Sequence, residues 1–132
     1  MDEFSALRAR QRAFVEARGW QEFHTPKNLA LALTGEVGEL VSEVQWLAAE
    51  EIPAALAEGP LRGRIADEAA DVLLYLLRFA DSCGIDLLAA ANAKIDRNEQ
   101  RFPVELQRGS IVRVDPRSDP VSTTQPDGAE SR

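Results

Sequence analysis

The chain has 132 residues, of which 45% are hydrophobic, with a formal net charge of −7 and a pI near 4.7. This length and apolar content suit one domain with a single core. The acidic balance argues against nucleic acid or an anionic membrane as a partner, because phosphate groups are bound by clustered cations. No apolar run approaches the roughly 20 residues of a membrane span, and the first ten residues lack the apolar segment of a signal peptide. We therefore expect a cytoplasmic protein.

Four segments show helical periodicity, which predicts an all-α fold. The first covers residues 4–18 and ends at Gly19, and the second begins at Thr25-Pro26 and runs to about residue 49. A connection over residues 50–60, rich in proline and glycine, leaves room for one helical turn. The third helix is expected over residues 61–82, and the fourth is capped by Asp86 and closed by Pro103. Residues 1–106 would then form the helical domain, and the polar residues 107–132 an unstructured tail.

Two acidic pairs stand out on the second and third predicted helices. Glu36 and Glu39 are three residues apart, as are Glu68 and Asp71. Residues with this spacing are neighbours on a helix surface, so each pair presents two carboxylates side by side. Both pairs are embedded among apolar residues, which places them at the border of the core. Carboxylates gathered there stay ionised only with counter-cations.

Mg²⁺ is the counter-ion that this donor set favours, because it prefers oxygen ligands and is commonly shared between carboxylates and substrate phosphates. Such an ion can polarise a phosphoryl oxygen, which indicates phosphoanhydride hydrolysis. A di-iron bundle would need Glu-x-x-His motifs, and the one histidine, His24, lies outside both pairs. The alternative interpretation is that the acids are ordinary solvated helix faces. Gly38 argues for a site, since a glycine inside a helix costs about 1 kcal/mol and indicates a close approach.

The residues around both pairs resemble the MazG-like all-alpha nucleoside triphosphate pyrophosphohydrolases, and within them the dCTP pyrophosphatase branch. The shared pattern is E-x-x-E followed by E-x-x-D, here separated by the 28 residues from Leu40 to Asp67. The matching stretches are residues 23–29 (FHTPKNL), 32–40 (ALTGEVGEL), 45–46 (QW), 67–76 (DEAADVLLYL), 94–98 (KIDRN) and 101–103 (RFP).

The resemblance implies a four-helix bundle that assembles as a dimer or a dimer of dimers. It implies hydrolysis of a deoxynucleoside triphosphate to its monophosphate and pyrophosphate, with dCTP or a 5-modified dCTP as substrate and sanitation of the nucleotide pool as the role. The expected ligands of Mg²⁺, with Mn²⁺ as the alternative ion, are Glu36, Glu39, Glu68 and Asp71. The same cluster would activate the water that attacks the α-phosphorus.

The resemblance also implies a substrate pocket with aromatic walls, on which a flat base can stack. The expected substrate-binding residues are Gln11, Trp20, Gln21, Phe23, His24, Trp46, Tyr75, Lys94 and Asn98. Gln11 stands where dCTP-specific members have a histidine, and it can form hydrogen bonds but carries no charge. The base preference therefore stays open at this point.

Two rival interpretations remain. A related hydrolase could act on dUTP, on phosphoribosyl-ATP or on several triphosphates alike, and a helical interaction module could use its acidic pairs only for solubility. The first interpretation differs from the dCTP pyrophosphatase interpretation in its substrates. The second predicts neither Mg²⁺ binding nor hydrolysis.

Overall fold

The computed structural model describes residues 1–104 and Gly109, and every regular element in this part of the chain is helical. The all-α prediction is therefore confirmed. Apart from Gly109, the tail predicted at residues 107–132 lies outside the described residues. The elements in chain order are α1 (Glu3–Glu16), a 3₁₀ turn (Gln21–Phe23), α2 (Pro26–Ser42), α3 (Ile52–Glu58), α4 (Leu61–Ser82) and α5 (Leu87–Arg101).

Side-chain caps begin three of the helices. Thr25 accepts a hydrogen bond at its Oγ1 from the backbone N–H of Asn28 at 3.2 Å, directly before the proline that opens α2. The Asp86 carboxylate accepts one from the N–H of Ala89 at 3.0 Å, which confirms the predicted cap of α5. Asp2 caps α1 in the same way. Each cap satisfies a backbone donor that has no partner within the helix.

A glycine just past its last turn ends helix α4. Gly84 adopts a φ of +65°, which most side chains disfavour. This allows the N–H of Ile85 to donate to the carbonyl of Ala80 at 2.8 Å and the N–H of Gly84 to donate to Asp81 at 3.1 Å. The pair is a Schellman motif. The predicted span of α4, residues 61–82, is therefore confirmed.

The second helix is shorter than predicted, since it ends at Ser42 and not near residue 49. The Ser42 hydroxyl donates to the carbonyl of Glu39 at 2.6 Å and competes with the helical bond expected there. The N–H of Glu43 then donates to Leu40, three residues back, and tighter turns replace the α-helix. Trp46 consequently lies in a connection, where it is 87% exposed.

Helix α4 is the centre of the packing, with α2 along it and with α1 and α3 also in contact with it. Leu29 of α2 and Leu77 of α4 are each only 1% exposed. Complete burial of a leucine side chain contributes about 1.5–3 kcal/mol, so each of the two acidic helices is stabilised by a leucine that it buries in the core. The other buried apolar residues are Val15, Leu61 and Ala80.

The chain divides into two compact units, Met1–Ala93 and Lys94–Arg132. The core and α1 to α4 belong to the first unit. In the second, the N–H of Phe102 donates to the carbonyl of Asn98 at 2.8 Å, and the guanidinium of Arg101 lies over the Phe102 ring. Across the described residues, no helix has the length and apolarity required to cross a membrane.

Candidate active site

Three carboxylates from two helices converge between α2 and α4. One oxygen each from Glu36, Glu39 and Glu68 lies within 4.8 Å of the other two. The three-residue spacing puts Glu36 and Glu39 on one face of α2, and the packing of α2 along α4 brings Glu68 to that face. We call these three residues the carboxylate cluster. Three of the four predicted metal ligands are thus brought together.

The electrostatics of the carboxylate cluster are those of acids crowded at the edge of a core. Burial raises the pKa of Glu68, and the neighbouring Glu39 raises it further. Burial also raises the pKa of Glu36, followed by the charges of Glu39 and Asp71. Oε2 of Glu68 is buried and has no hydrogen-bond partner among the described residues. Such an oxygen is costly to bury unless something else compensates its charge.

Asp71, the fourth predicted ligand, is not one of the three residues whose oxygens lie within 4.8 Å of one another, but it is close enough to interact with their charges. Its carboxylate contributes to the raised pKa of both Glu36 and Glu68. It also lines a cavity of about 450 Å³ between α1, the 3₁₀ turn and α4. Asp71 therefore borders both the carboxylate cluster and this cavity, which we call the α1–α4 cavity. Its volume falls in the range of small-molecule sites.

The α1–α4 cavity collects four of the predicted substrate-binding residues, namely Gln11, Trp20, His24 and Tyr75. Nε2 of Gln11 donates to the backbone carbonyl of Leu74 at 2.7 Å, which fixes its amide orientation because a carbonyl can only accept. The Trp20 ring centroid is 6.3 Å from that of His24. One wall of the cavity is thus aromatic and partly polar.

The neighbouring residues hold Trp20 in place. Its ring meets that of Phe14 edge-on, with 5.9 Å between centroids, and the guanidinium of Arg18 lies 3.5 Å from the centroid of Phe14. Edge-to-face and cation–π contacts of this kind each contribute about 1 kcal/mol. Trp20 is still 43% exposed, so part of its face remains available.

Other predicted substrate-binding residues lie elsewhere. Gln21 and Phe23 are exposed on the 3₁₀ turn, and Phe23 reaches 63% exposure. Trp46 lines a second cavity, beside α3 and the start of α4. Lys94 and Asn98 are on the part of α5 that belongs to the second compact unit. The substrate-binding roles of these five residues, like those of the four that line the α1–α4 cavity, stay predictions.

Comparison with known proteins identifies the family. The MazG nucleotide pyrophosphohydrolase domain matches residues 24–104 of the chain. The chain belongs to this family. That match contains His24, the carboxylate cluster, Asp71 and Tyr75, whereas Gln11 and Trp20 precede it.

Curated relatives of this MazG-family chain include proteins named dCTP pyrophosphatase 1. The Mus musculus protein is 46% identical over 101 residues, which cover 76% of this chain and 59% of that relative. The Homo sapiens protein is 43% identical over 98 residues, which cover 74% of this chain and 57% of that relative. The chain thus spans less than two thirds of the length of these relatives.

A solved structure supports the same grouping. A crystal structure described as a pyrophosphatase from Archaeoglobus fulgidus DSM 4304 superimposes with a TM-score of 0.73 at 36% sequence identity. The alignment covers 78% of this chain and 94% of that one. The all-alpha MazG fold expected from the sequence is therefore confirmed.

Sequence reasoning on the MazG motifs missed several residues of the α1–α4 cavity. Arg78 lines it three residues after Tyr75, and Arg10 lines it from α1. Positions 71, 75 and 78 follow the i, i+4, i+7 pattern of one helix face, so the sequence did contain a signal for Arg78. The signal was masked because an isolated helical arginine is usually a solvated surface residue.

Proposed function

We propose that this protein is a divalent-cation-dependent nucleoside triphosphate pyrophosphohydrolase, which converts a deoxynucleoside triphosphate and water to a monophosphate and pyrophosphate. The observation that carries the proposal is the position of Asp71, which borders both the carboxylate cluster and the α1–α4 cavity. A nucleotide whose base occupies the cavity can extend its phosphates past Asp71 towards the cluster. Membership of the MazG family supports the reaction class.

The carboxylate cluster fits a hard divalent cation. Its donors are all carboxylate oxygens, the type that Mg²⁺ prefers. Glu68 offers a buried oxygen that has no hydrogen-bond partner in the described part of the chain, and a cation would compensate the charge that burial makes costly. We propose that Glu36, Glu39 and Glu68, joined by Asp71, hold Mg²⁺ or Mn²⁺. When bound there, such an ion would neutralise charge on the polyphosphate and would polarise a phosphoryl oxygen.

The protein's own residues would bind and orient the nucleotide. Trp20 offers a partly exposed aromatic face for stacking on the base. Gln11 is fixed by its bond to Leu74, and its carbonyl oxygen can accept from a base amino group. The carboxylates would take up the proton that the attacking water releases as its oxygen bonds to the α-phosphorus and pyrophosphate leaves. The edge-to-face pair of Phe14 and Trp20 would cover part of the base on one side.

We propose dCTP as the substrate, with 5-modified dCTP as a second candidate. The support comes from the curated relatives named dCTP pyrophosphatase 1. Because Gln11 stands where dCTP-specific members have a histidine, and an amide cannot carry charge, dUTP and a broad set of deoxynucleoside triphosphates form the alternative. Sanitation of the cytoplasmic nucleotide pool would be the corresponding role.

A substrate panel tests this proposal. Each common deoxynucleoside triphosphate and 5-methyl-dCTP is incubated with the protein, with Mg²⁺ or with a chelator, and pyrophosphate and inorganic phosphate are measured separately. We expect pyrophosphate from dCTP, only with the ion, and its loss in Glu39→Gln. Asp67→Asn is the matched control, since Asp67 is exposed beside Glu68 and outside the carboxylate cluster. Release of inorganic phosphate, or no hydrolysis of any triphosphate, would contradict the proposal.

We also propose that the protein is a homodimer or a dimer of dimers. Several apolar side chains on α2 and α4 remain exposed in the single chain, among them Leu31 at 63%, Val41 at 51% and Leu73 at 41%. Exposed apolar surface of this kind is typical of subunit contacts. Light scattering on the eluting protein should give a multiple of the 14.5 kDa chain mass. A mass equal to that of one chain would refute the assembly.

A further inference from the structure

A hydrogen bond to one of its ring nitrogens joins His24 to α4. Nε of Arg78 donates to Nδ1 of His24 at 3.3 Å. Both residues line the α1–α4 cavity, and the Arg78 side chain is only 14% exposed. His24 itself is partly buried, and its ring lies beside that of Trp20 with the two planes tilted by 46°.

Arg78 is in turn held by a buried acid. Its Nη1 donates to Oδ2 of Asp81 at 3.0 Å, one turn further along α4. The Asp81 side chain is only 7% exposed. It also accepts from α1, where Nε of Arg12 donates to the same oxygen at 2.7 Å and a second guanidinium nitrogen donates to Oδ1. The three residues form a fixed network in which only the Nε–H of Arg78 is directed to the histidine.

This arrangement decides the protonation of the ring. A guanidinium nitrogen can donate but cannot accept, so Nδ1 of His24 must be the acceptor and carries no proton. In the neutral ring the proton then resides on Nε2. Burial lowers the pKa of His24, and the positive charge of Arg78 lowers it further, so the ring is neutral near pH 7.

We propose that Arg78, fixed by Asp81, is a positioning residue that holds His24 as an Nε2–H donor at the wall of the α1–α4 cavity. A donor in this place selects a ligand with an acceptor atom, such as a ring nitrogen or carbonyl oxygen of a pyrimidine base. The identity of the ligand rests on the function proposed above. The protonation state of the His24 ring in the free protein is independent of that proposed function.

The test uses the fact that His24 is the one histidine in the chain. A long-range ¹H–¹⁵N correlation spectrum of the uniformly labelled protein at neutral pH therefore shows a single imidazole. We expect an unprotonated Nδ1 and a protonated Nε2, both fixed in one tautomer. In Arg78→Met we expect the Nδ1 resonance to move towards the value of an imidazole that exchanges between its two neutral tautomers. A protonated Nδ1 in the wild-type protein, or a spectrum that Arg78→Met leaves unchanged, would overturn the proposal.

Kinetics supply a second readout that general loss of structure would not reproduce. Arg78→Met should raise KM for dCTP by about two- to tenfold, the effect of one hydrogen bond, with a smaller change in kcat. Arg78→Lys keeps a donor and should recover part of the loss. Arg62→Met, at an exposed arginine of the same helix, is the control for replacing an arginine. Absence of any triphosphate hydrolysis would defeat the proposed function but leave the spectrum as an independent test of the tautomer.

Discussion

Replacing Glu36 by glutamine should make the protein more stable when divalent ions are absent. One oxygen of Glu36 lies within 4.8 Å of oxygens of both Glu39 and Glu68. Two unit charges at that separation repel by about 3.5 kcal/mol at an effective dielectric constant of about 20, and by about 0.9 kcal/mol in water. Because the side chains of the carboxylate cluster are partly exposed, we take the screened end of this range, about 1 kcal/mol. A gain of that size corresponds to a rise in Tm of about 3 °C.

The gain should depend on pH in a defined direction. The pKa of Glu36 in the folded protein is raised above its ordinary value of 4.5, so the folded state retains this proton more tightly than the unfolded chain. Stability from the bound proton is present below 4.5 and is lost as pH rises through the raised pKa. The advantage of Glu36→Gln should therefore be absent in acid and appear as pH rises through that window.

Thermal unfolding followed by circular dichroism measures both effects. The control is Asp67→Asn, which also removes one acid but lies outside the carboxylate cluster. An ion that binds only the folded state adds about 2.7 kcal/mol at 100 times its Kd, so Mg²⁺ should raise the Tm of the wild-type protein and that of Glu36→Gln much less. This prediction would be wrong if the variant were less stable than wild type without the ion, or if Mg²⁺ stabilised both proteins equally.

Three further predictions concern stacking, helix propensity and the buried acid. Trp20→Ala should raise KM for dCTP about tenfold or more through lost stacking, whereas an unchanged KM in steady-state kinetics would contradict the base-binding role. Outside its own helix backbone and chain neighbours, a methyl group placed at Gly38 meets no atom of the described chain within 4 Å, so the chain itself does not make the close approach expected there. Gly38→Ala should therefore raise the free energy of unfolding by about 1 kcal/mol, and urea denaturation that shows a loss would argue against it. Asp81→Asn should lower the free energy of unfolding by about 2 kcal/mol, less than a fully buried pair because Arg12 is 51% exposed. The hydrogen bond from Arg12 lowers the pKa of Asp81, so this loss of stability should be present above the ordinary pKa of 3.8 and should fade as pH falls through the lowered pKa. An acid titration of both proteins in which the difference in stability persists would contradict this prediction.

Signals that act over a few residues predicted most of the fold. Thr25 and Pro26 open α2, and Gly84 closes α4 where the sequence indicated. Each works through a local hydrogen bond or a backbone preference, so the information is contained in neighbouring residues. The end of α2 was mispredicted because the Ser42 hydroxyl competes with the backbone, and apolar periodicity does not report that competition.

In the candidate site, too, the features that depend on nearby residues were predictable, and those that depend on tertiary packing were not. The carboxylate cluster could be predicted because both pairs have helical spacing and need only two helices to pack. The bond from Arg78 to His24 joins residues 54 positions apart and depends on how the 3₁₀ turn meets α4. Contacts of this kind depend on tertiary packing, and no periodic pattern in a single sequence indicates them. The same reason applies to Trp46, whose aromatic ring indicated a stacking surface but whose place was set by the early end of α2.

The most direct test of the proposed cation site is a titration of the protein with Mn²⁺, in which electron paramagnetic resonance reports the free ion. If the carboxylate cluster is the cation site, the wild-type protein and Asp67→Asn will remove Mn²⁺ from solution in a saturable way that Mg²⁺ reverses. Glu39→Gln and Glu68→Gln will leave most of the ion free. Equal binding by all four proteins, or no binding by any of them, would contradict the assignment.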